Sequence, residues 1–194
     1  MRLVVGISGS SGSIYGIRLL EVLQGVPDLE THLIISAAAK RTILEETDYT
    51  VKDVEALATH VHDNRDIGAA LASGSFRTGG MVIAPCSIKT VSALANSYAD
   101  TLICRAGDVS LKEGHPLVVV VRETPLHAGH LRQLLHLAEL GAVILPPVPA
   151  FYHHPKTVED IVNHTVGRVL DRFGIPHTLT TEWTRTRLPR RQTL

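Results

Sequence analysis

Apolar runs alternate with amphipathic stretches along most of this chain. Short apolar or β-branched runs predict five strands, at residues 3–7, 32–36, 81–84, 117–121 and 142–145. Helical spacing predicts helices at residues 14–23, 37–46, 87–95, 131–140 and 158–173, with weaker helical pieces at 51–57 and 67–71. A strand followed by a helix, repeated in this way, is typical of an α/β protein whose mostly parallel sheet is covered by helices on both faces.

Local signals place several boundaries. The run 117–121 contains four consecutive valines, as expected of a strand buried on both faces. Pro85 should stop the third strand, and Ser87 should cap the helix that follows. A glycine and a proline should end the last helix, so we expect a single α/β domain over residues 1–176. We expect the tail, residues 177–194, to be partly disordered or to pack on a neighbouring subunit, because it has little apolar periodicity.

Composition narrows the function classes. Of the 194 residues, 44% are apolar, 19 are basic and 19 are acidic, so the formal net charge is zero. This balance argues against a protein that binds nucleic acid or a membrane surface through bulk charge. The two cysteines, Cys86 and Cys104, are too few for a disulfide framework, and no apolar stretch approaches the roughly 20 residues of a membrane span. We expect a cytoplasmic protein that binds any anion through a local site.

The first predicted strand leads into a loop rich in glycine and serine. Residues 6–13 read Gly-Ile-Ser-Gly-Ser-Ser-Gly-Ser, and a helix follows directly. Because the free N–H groups and the positive dipole end of that helix face the loop, the loop can bind phosphate or carboxylate. The glycine spacing matches neither the dinucleotide fingerprint nor a Walker A loop. An ordinary tight strand-to-helix turn is the alternative.

A second loop of this kind, residues 84–90, follows the third predicted strand. Because the carboxyl ends of parallel strands meet at one edge of a sheet, its hydroxyls and lysine should face the same crevice as the first loop. Ser36, at the end of the second predicted strand, should lie on the same rim. Cys86 is disfavoured as a nucleophile, because no histidine lies near it in the sequence and thiols at strand ends are usually buried.

Charged side chains can complete an anion site. Arg122 and Glu123 directly follow the valine-rich strand. There the positive charge of the arginine can neutralise phosphate, and the glutamate can accept a proton. Other candidates of this kind are Arg105, Lys112, Glu113, Tyr152 and Arg168. A solvated network of ion pairs is the alternative interpretation.

Histidine is abundant, with 11 residues in the chain. His127 and His130 can share one helix face, and His153 and His154 are adjacent. Neither pair supplies the three or four convergent ligands of a zinc site, so these pairs predict no metal centre.

Six motifs, taken in order and spacing, resemble one family. They are residues 6–12 with 15–16, residues 72–76 (Ala-Ser-Gly-Ser-Phe), residues 84–87 (Ala-Pro-Cys-Ser), residues 108–113 (Asp-Val-Ser-Leu-Lys-Glu), residues 122–125 (Arg-Glu-Thr-Pro), and residues 141–147 leading to 151–153. The chain resembles the flavin prenyltransferases of the UbiX type, which include accessory subunits encoded beside phenolic-acid decarboxylases. It departs from the family pattern at Ser10, at Val121 and over residues 127–133.

The resemblance implies a flavodoxin-like (Rossmann-like) three-layer fold and a homo-oligomer, commonly a dodecamer. It also implies an enzyme that joins the dimethylallyl group of dimethylallyl phosphate to reduced FMN. The product, prenylated FMN, would pass to a UbiD-type decarboxylase. No metal is needed in that family.

The resemblance also assigns roles to individual residues. The FMN-binding set would be Gly9, Ser10, Ser11, Ser36, Ser87, Ile88, Lys89, Thr90 and Arg122. The residues that grip the dimethylallyl phosphate, some of them across a subunit interface, would be Lys112, Arg122, Tyr152 and Arg168. Arg105 and Trp183 would line the allylic pocket. Catalysis would depend on Ser11 and Glu123 as the proton-handling pair, with Glu46 near the flavin and with Lys112.

Two other functions remain open at this point. One is an FMN-dependent decarboxylase of the flavodoxin-like cysteine-decarboxylase type, but residues 37–40 (Ala-Ala-Ala-Lys) lack the histidine on which those enzymes generally rely. The other is a subunit that only carries flavin for an aromatic acid decarboxylase, or is itself the decarboxylase subunit. That function would leave the predicted phosphate-binding set without a purpose.

Overall fold

Six strands form one sheet at the centre of the computed structural model, which describes residues 1–180. The strands are β1 (Arg2–Ile7), β2 (Glu30–Ile35), β3 (His60–Asp63), β4 (Met81–Cys86), β5 (Leu117–Val121) and β6 (Val143–Ile144). Their order across the sheet is β3-β2-β1-β4-β5-β6, and every neighbouring pair is parallel. The chain therefore winds outward from β1 in one direction and then, from β4, in the other.

Within residues 1–180, seven helices lie between or after the strands and cover the sheet. They are α1 (Ser13–Gln24), α2 (Ala37–Glu46), α3 (Val51–Ala56), α4 (Ile88–Ala95), α5 (Leu102–Lys112), α6 (Ala128–Glu139) and α7 (Val158–Arg172). Two short 3₁₀ turns lie at Ala70–Ala72 and Phe151–His153. No helix within residues 1–180 is long and apolar enough to cross a membrane.

Two hydrophobic cores, one on each face of the sheet, give the three layers. Alternate residues of a strand point to opposite faces, so Val118 and Val120 pack in one core while Val119 and Val121 pack in the other. Helices α1, α2, α3 and α7 contribute to the first core, and α4, α5 and α6 contribute to the second. This arrangement confirms the α/β, flavodoxin-like fold.

The structure corrects several predicted elements. The sequence predicted neither β3, whose polar His-Val-His-Asp pattern suits an exposed edge strand, nor helix α5. Helix α6 begins three residues earlier than predicted, because the Nδ1 atom of His127 caps it by accepting from the N–H groups of Gly129 and His130. Strand β4 does not stop at Pro85 but reaches Cys86 through a register shift, where the missing proline N–H is tolerated.

The reversal of winding at β1 and β4 positions the site. After β1 the chain enters α1 on one face, and after β4 it enters α4 on the other, so a crevice forms between the two carboxyl ends. Ligands of open α/β sheets bind at this kind of switch point.

Candidate active site

A cavity of about 730 Å³ opens at the carboxyl ends of the strands. This volume lies within the range of roughly 300–1,000 Å³ that small-molecule and cofactor sites occupy. Ten predicted site residues line it: Gly9, Ser10, Ser11, Ser36, Ser87, Ile88, Lys89, Thr90, Arg122 and Glu123. The structure therefore brings together the whole predicted FMN-binding set.

The first loop is shaped for close backbone approach to a ligand. A Cβ atom on Gly9 would lie 2.3 Å from the Cβ of Ala38, so this position has no room for a side chain. Gly12, at the N-cap of α1, has a φ of 100°, which favours glycine. The hydroxyl of Ser10 is buried and has no hydrogen-bond partner among the described residues. An unpartnered buried hydroxyl in a cavity wall is suited to bind a ligand oxygen.

Glu46, at the end of α2, braces this loop from outside the cavity lining. Its Oε2 atom accepts hydrogen bonds from the N–H groups of Gly12, at 2.8 Å, and Ser13, at 3.3 Å. Burial acts to raise the pKa of Glu46, but the bonds from Gly12, Ser11 and Ser13, together with the charge of Arg122, bring it below its usual value. The carboxylate is therefore ionised at neutral pH and holds the start of α1 in place.

Two serines predicted to line the rim cap the helices behind them. The Oγ atom of Ser36 accepts from the Ala39 N–H at 3.1 Å and caps α2. The Oγ atom of Ser87 accepts from the Thr90 N–H at 3.4 Å and caps α4. The N-termini of α1, α2 and α4 thus all begin at residues next to the cavity, where their positive dipole ends favour an anion.

A residue that the sequence did not single out joins the two loops. Ser8 is only 1% exposed, and its hydroxyl donates to the carbonyl oxygen of Pro85 at 3.0 Å. The hydroxyl oxygen of Ser8 in turn accepts from the Ser87 N–H at 2.7 Å. Ser8 therefore fixes the loop after β1 against the loop after β4.

Charged groups of both signs face the cavity. Lys89 and Arg122 are basic, and Arg65, from the turn after β3, adds a third cation that the sequence did not predict. The charge of Arg122 reaches Tyr15: burial raises the pKa of this phenol, and Arg122 offsets part of that rise. Glu123 lies beside Arg122, and its Oε1 atom accepts from the following N–H, of Thr124, at 3.1 Å.

Four predicted substrate-binding residues do not line this cavity in the single chain. Arg105 donates to the carbonyl oxygen of Ala72 at 3.2 Å and pairs with Asp108, while Lys112 pairs with Glu113. Tyr152 and Arg168 lie elsewhere. The Tyr152 hydroxyl is 3.4 Å from His164 Nε2, and Arg168 pairs with Asp171 at 2.9 Å. Trp183 lies outside the described residues.

Neither cysteine is prepared for nucleophilic attack. Burial raises the pKa of the Cys86 thiol far above its ordinary value, and the neighbouring thiol of Cys104 adds to this effect. Burial also raises the pKa of Cys104, which lines the cavity. Both groups are therefore neutral thiols at physiological pH.

Comparison with known proteins agrees with this geometry. The Flavoprotein family model matches residues 1–170. The flavin prenyltransferase UbiX of Escherichia coli K12 is 59% identical over 184 residues, which cover 94% of this chain and 97% of that protein.

Two solved structures have nearly the same fold. A dodecameric FMN-dependent UbiX-like decarboxylase from Escherichia coli O157:H7 has a TM-score of 0.93 and 49% identity, covering 95% of this chain and 100% of that one. AnUbiX, solved in complex with FMN and dimethylallyl pyrophosphate, has a TM-score of 0.92 and 45% identity, covering 94% and 97%. With 59% identity to a curated relative over nearly the whole length, this chain belongs to the UbiX flavin prenyltransferase family.

Proposed function

We infer that this protein is a flavin prenyltransferase, which transfers a dimethylallyl group from dimethylallyl phosphate to reduced FMN and so makes prenylated FMN. The observation that carries this inference is the cavity, whose wall includes Arg122 and Glu123 and beside which three helices begin. The predicted FMN-binding residues in the cavity wall and the chain's membership of the UbiX family agree with this inference.

The cavity wall fits the phosphate end of FMN. The unpartnered Ser10 hydroxyl and the close backbone approach at Gly9 leave donors for phosphate oxygens. Ser36 and Ser87 keep the helix starts in register, and Lys89 supplies positive charge. When bound, reduced FMN supplies the nucleophilic ring positions to which the dimethylallyl group is joined.

The charged wall fits the allylic donor. Ionisation of an allylic phosphate leaves a phosphate anion and a delocalised cation, so the site has to neutralise the first and keep water away from the second. Arg122 can neutralise phosphate at the cavity wall. The overall reaction also releases a proton, and we assign its acceptance to Glu123, with Ser11 as its partner and Glu46 holding the loop on which Ser11 lies.

We propose that a second copy of the chain supplies the remaining side chains that bind the phosphate of the donor. Tyr152 and Arg168 are exposed and do not line the cavity of their own chain, although their residue types suit phosphate binding. A homo-oligomer would bring them, with Lys112, to the cavity of a neighbour, and the UbiX-like relative of Escherichia coli O157:H7 is a dodecamer. Arg105 and Trp183 remain candidates for the wall of the allylic pocket.

We further propose that the protein acts in the cytoplasm and that a UbiD-type decarboxylase receives the product. The product is a modified flavin, and an enzyme that uses it as a cofactor is the class of protein that would consume it.

The test is product formation under anaerobic conditions. Purified protein is mixed with reduced FMN and dimethylallyl monophosphate, and in parallel with the diphosphate, and the extracted flavin is analysed by mass spectrometry. We expect a flavin heavier by one isoprenyl unit. Unmodified FMN with both donors, from protein shown to bind flavin, would contradict the inference and favour a decarboxylase or a flavin carrier.

Glu123→Gln tests the assigned base. We expect this variant to bind FMN as the parent does and to form no product, because the amide cannot accept the proton. Turnover equal to that of the parent would refute the role of Glu123.

A further inference from the structure

Four ionisable side chains cluster on one face of the sheet, away from the cavity lining. Glu30 and His32 lie two residues apart on β2, and His60 and His62 lie two residues apart on β3. Because alternate residues of a strand share a face and His32 is paired with His60 in register, the four side chains lie together. The His32 ring stacks on those of His60 and His62, with ring centroids 4.7 and 5.3 Å apart.

Three of these residues point ligand atoms at one another. A carboxylate oxygen of Glu30 and ring nitrogens of His32 and His60 all lie within 4.8 Å of one another. His32 is only 4% exposed, and its Nε2 atom has no hydrogen-bond partner among the described residues. That atom is 4.0 Å from Glu30 Oε2. An unpartnered buried nitrogen is costly, and a bound cation would satisfy it.

We propose that Glu30, His32 and His60 bind a divalent zinc-class ion, with water as the fourth ligand. Two imidazoles and one carboxylate are a ligand set that Zn²⁺ accepts, and the exposure of Glu30 and His60 gives the ion a path from solvent. Tetrahedral zinc places its ligand atoms about 3.4 Å apart, so the two exposed side chains need to close by roughly 1 Å.

The surroundings of His32 support this role. Its other ring nitrogen, Nδ1, is 3.0 Å from the Nε2 atom of His62. Histidines that bind metals through one nitrogen almost always donate from the other to a fixed acceptor, which sets the ring orientation. His62 supplies that acceptor and acts as a positioning residue.

Arg2 is the competing group. Its Nε atom donates to Glu30 Oε2 at 3.0 Å, and its guanidinium lies 4.7 Å from the centre of the Phe76 ring. The oxygen that Arg2 holds, Oε2, is also the one 4.0 Å from His32 Nε2, so Glu30 has to share this oxygen between Arg2 and the ion or turn its other oxygen toward the ion. The charge of Arg2 opposes a second cation, which sets the expected affinity below that of a closed structural zinc site.

Binding would add a side-chain link between the edge strand β3 and β2, which already pair through their backbones. The turn after β3 carries Asn64, whose backbone carbonyl oxygen accepts from the Leu102 N–H at 2.8 Å and whose side chain accepts from the Ile103 N–H at 3.1 Å. Asn64 also lines the flavin cavity. The ion therefore stabilises a strand that supports the cavity without taking part in prenyl transfer.

The experiment uses full-length protein without a histidine tag, treated with chelator and dialysed. Zn²⁺ is titrated by calorimetry, and Co²⁺ is titrated by visible absorption as a report on four-coordinate geometry. We expect one ion per chain with a Kd of about the micromolar range or tighter. His60→Ala and Glu30→Gln, both at exposed positions, should weaken binding by about tenfold or more, while His136→Ala on α6 should leave it unchanged.

His62→Ala distinguishes a role of His62 in positioning the metal ligand His32 from a role in folding alone. It should lower the thermal midpoint of the metal-free protein, because the buried His32 Nδ1 loses its partner, and it should also weaken Co²⁺ affinity and alter the Co²⁺ spectrum of the folded protein, which a role in folding alone would leave unchanged. The proposal is overturned if about 100 µM Zn²⁺ gives no saturable binding, or if His60→Ala and Glu30→Gln bind as tightly as the parent. Prenyl transfer measured on the same samples is an independent result, so failure of the metal site leaves the proposed function intact.

Discussion

Ser8→Ala tests whether the two loops of the cavity depend on one buried hydroxyl. The change removes the oxygen that donates to Pro85 O and accepts from the Ser87 N–H. Pro85 O keeps a second donor, the Ser8 N–H at 3.1 Å. The Ser87 N–H loses the acceptor that it has in the native loop, at the position where α4 begins.

The magnitude follows from this asymmetry. A buried donor left without an acceptor costs about 1–3 kcal/mol, and we take about 2 kcal/mol because Ser87 is half-buried. For a chain of 194 residues, each kcal/mol lowers the midpoint of thermal unfolding by about 2–4 °C. We therefore expect a midpoint about 4–8 °C lower than that of the parent. FMN affinity should also fall, because Ser87 and Lys89 lie on the loop that is released.

The assay is thermal unfolding at one fixed protein concentration, followed by FMN titration through quenching of flavin fluorescence. Ser92→Ala, the same chemical change within α4, is the control and should leave both quantities close to those of the parent. A midpoint within 1 °C of the parent's, roughly the error of such a measurement, together with unchanged FMN affinity, would refute the bridging role of Ser8.

Three further predictions concern single residues. Gly9→Ala should raise the Kd for FMN about tenfold or more, because its Cβ would lie 2.3 Å from that of Ala38; Gly68→Ala, with ordinary contacts, is the control. Glu46→Gln should have a lower thermal midpoint than the parent at pH values above 4.5, the ordinary carboxyl pKa. This difference in midpoint should vanish as the pH falls through the lowered pKa of native Glu46, and a difference that stays constant from about pH 3 to 7 would contradict the assignment. Cys86 should resist thiol reagents at pH 8 until the protein is unfolded, as peptide mass spectrometry can check, because burial raises the pKa of its thiol.

Local signals in the sequence were enough for the parts of the cavity wall that follow β1, β2 and β4. Ser36 and Ser87 each follow a strand and open a helix, and a capping hydroxyl at such a junction can be recognised from its immediate neighbours. The same holds for the glycine loop. These signals also fixed the α/β class, because β5 and its neighbours are apolar on both faces.

Long-range contacts escaped the sequence. The bridge from Ser8 to Ser87 joins residues 79 positions apart, and nothing near Ser8 announces it. Arg65 was missed because β3, the strand that delivers it, has no apolar run. The resemblance named Tyr152 and Arg168 as phosphate ligands, but a motif does not say which chain of an assembly supplies them, and the single chain keeps both outside the cavity lining.

The two edges of the sheet limit how copies of this protein can associate. β3 has four residues, of which three are polar, and β6 has two residues followed closely by the prolines at 146 and 147. Short, polar or proline-flanked edges are poor templates for strand addition by another molecule, so fibril-like growth through the backbone is disfavoured. Within residues 1–180, helical surfaces offer apolar side chains for contacts between copies instead, such as Leu131 and Leu135 of α6, which are 54% and 61% exposed.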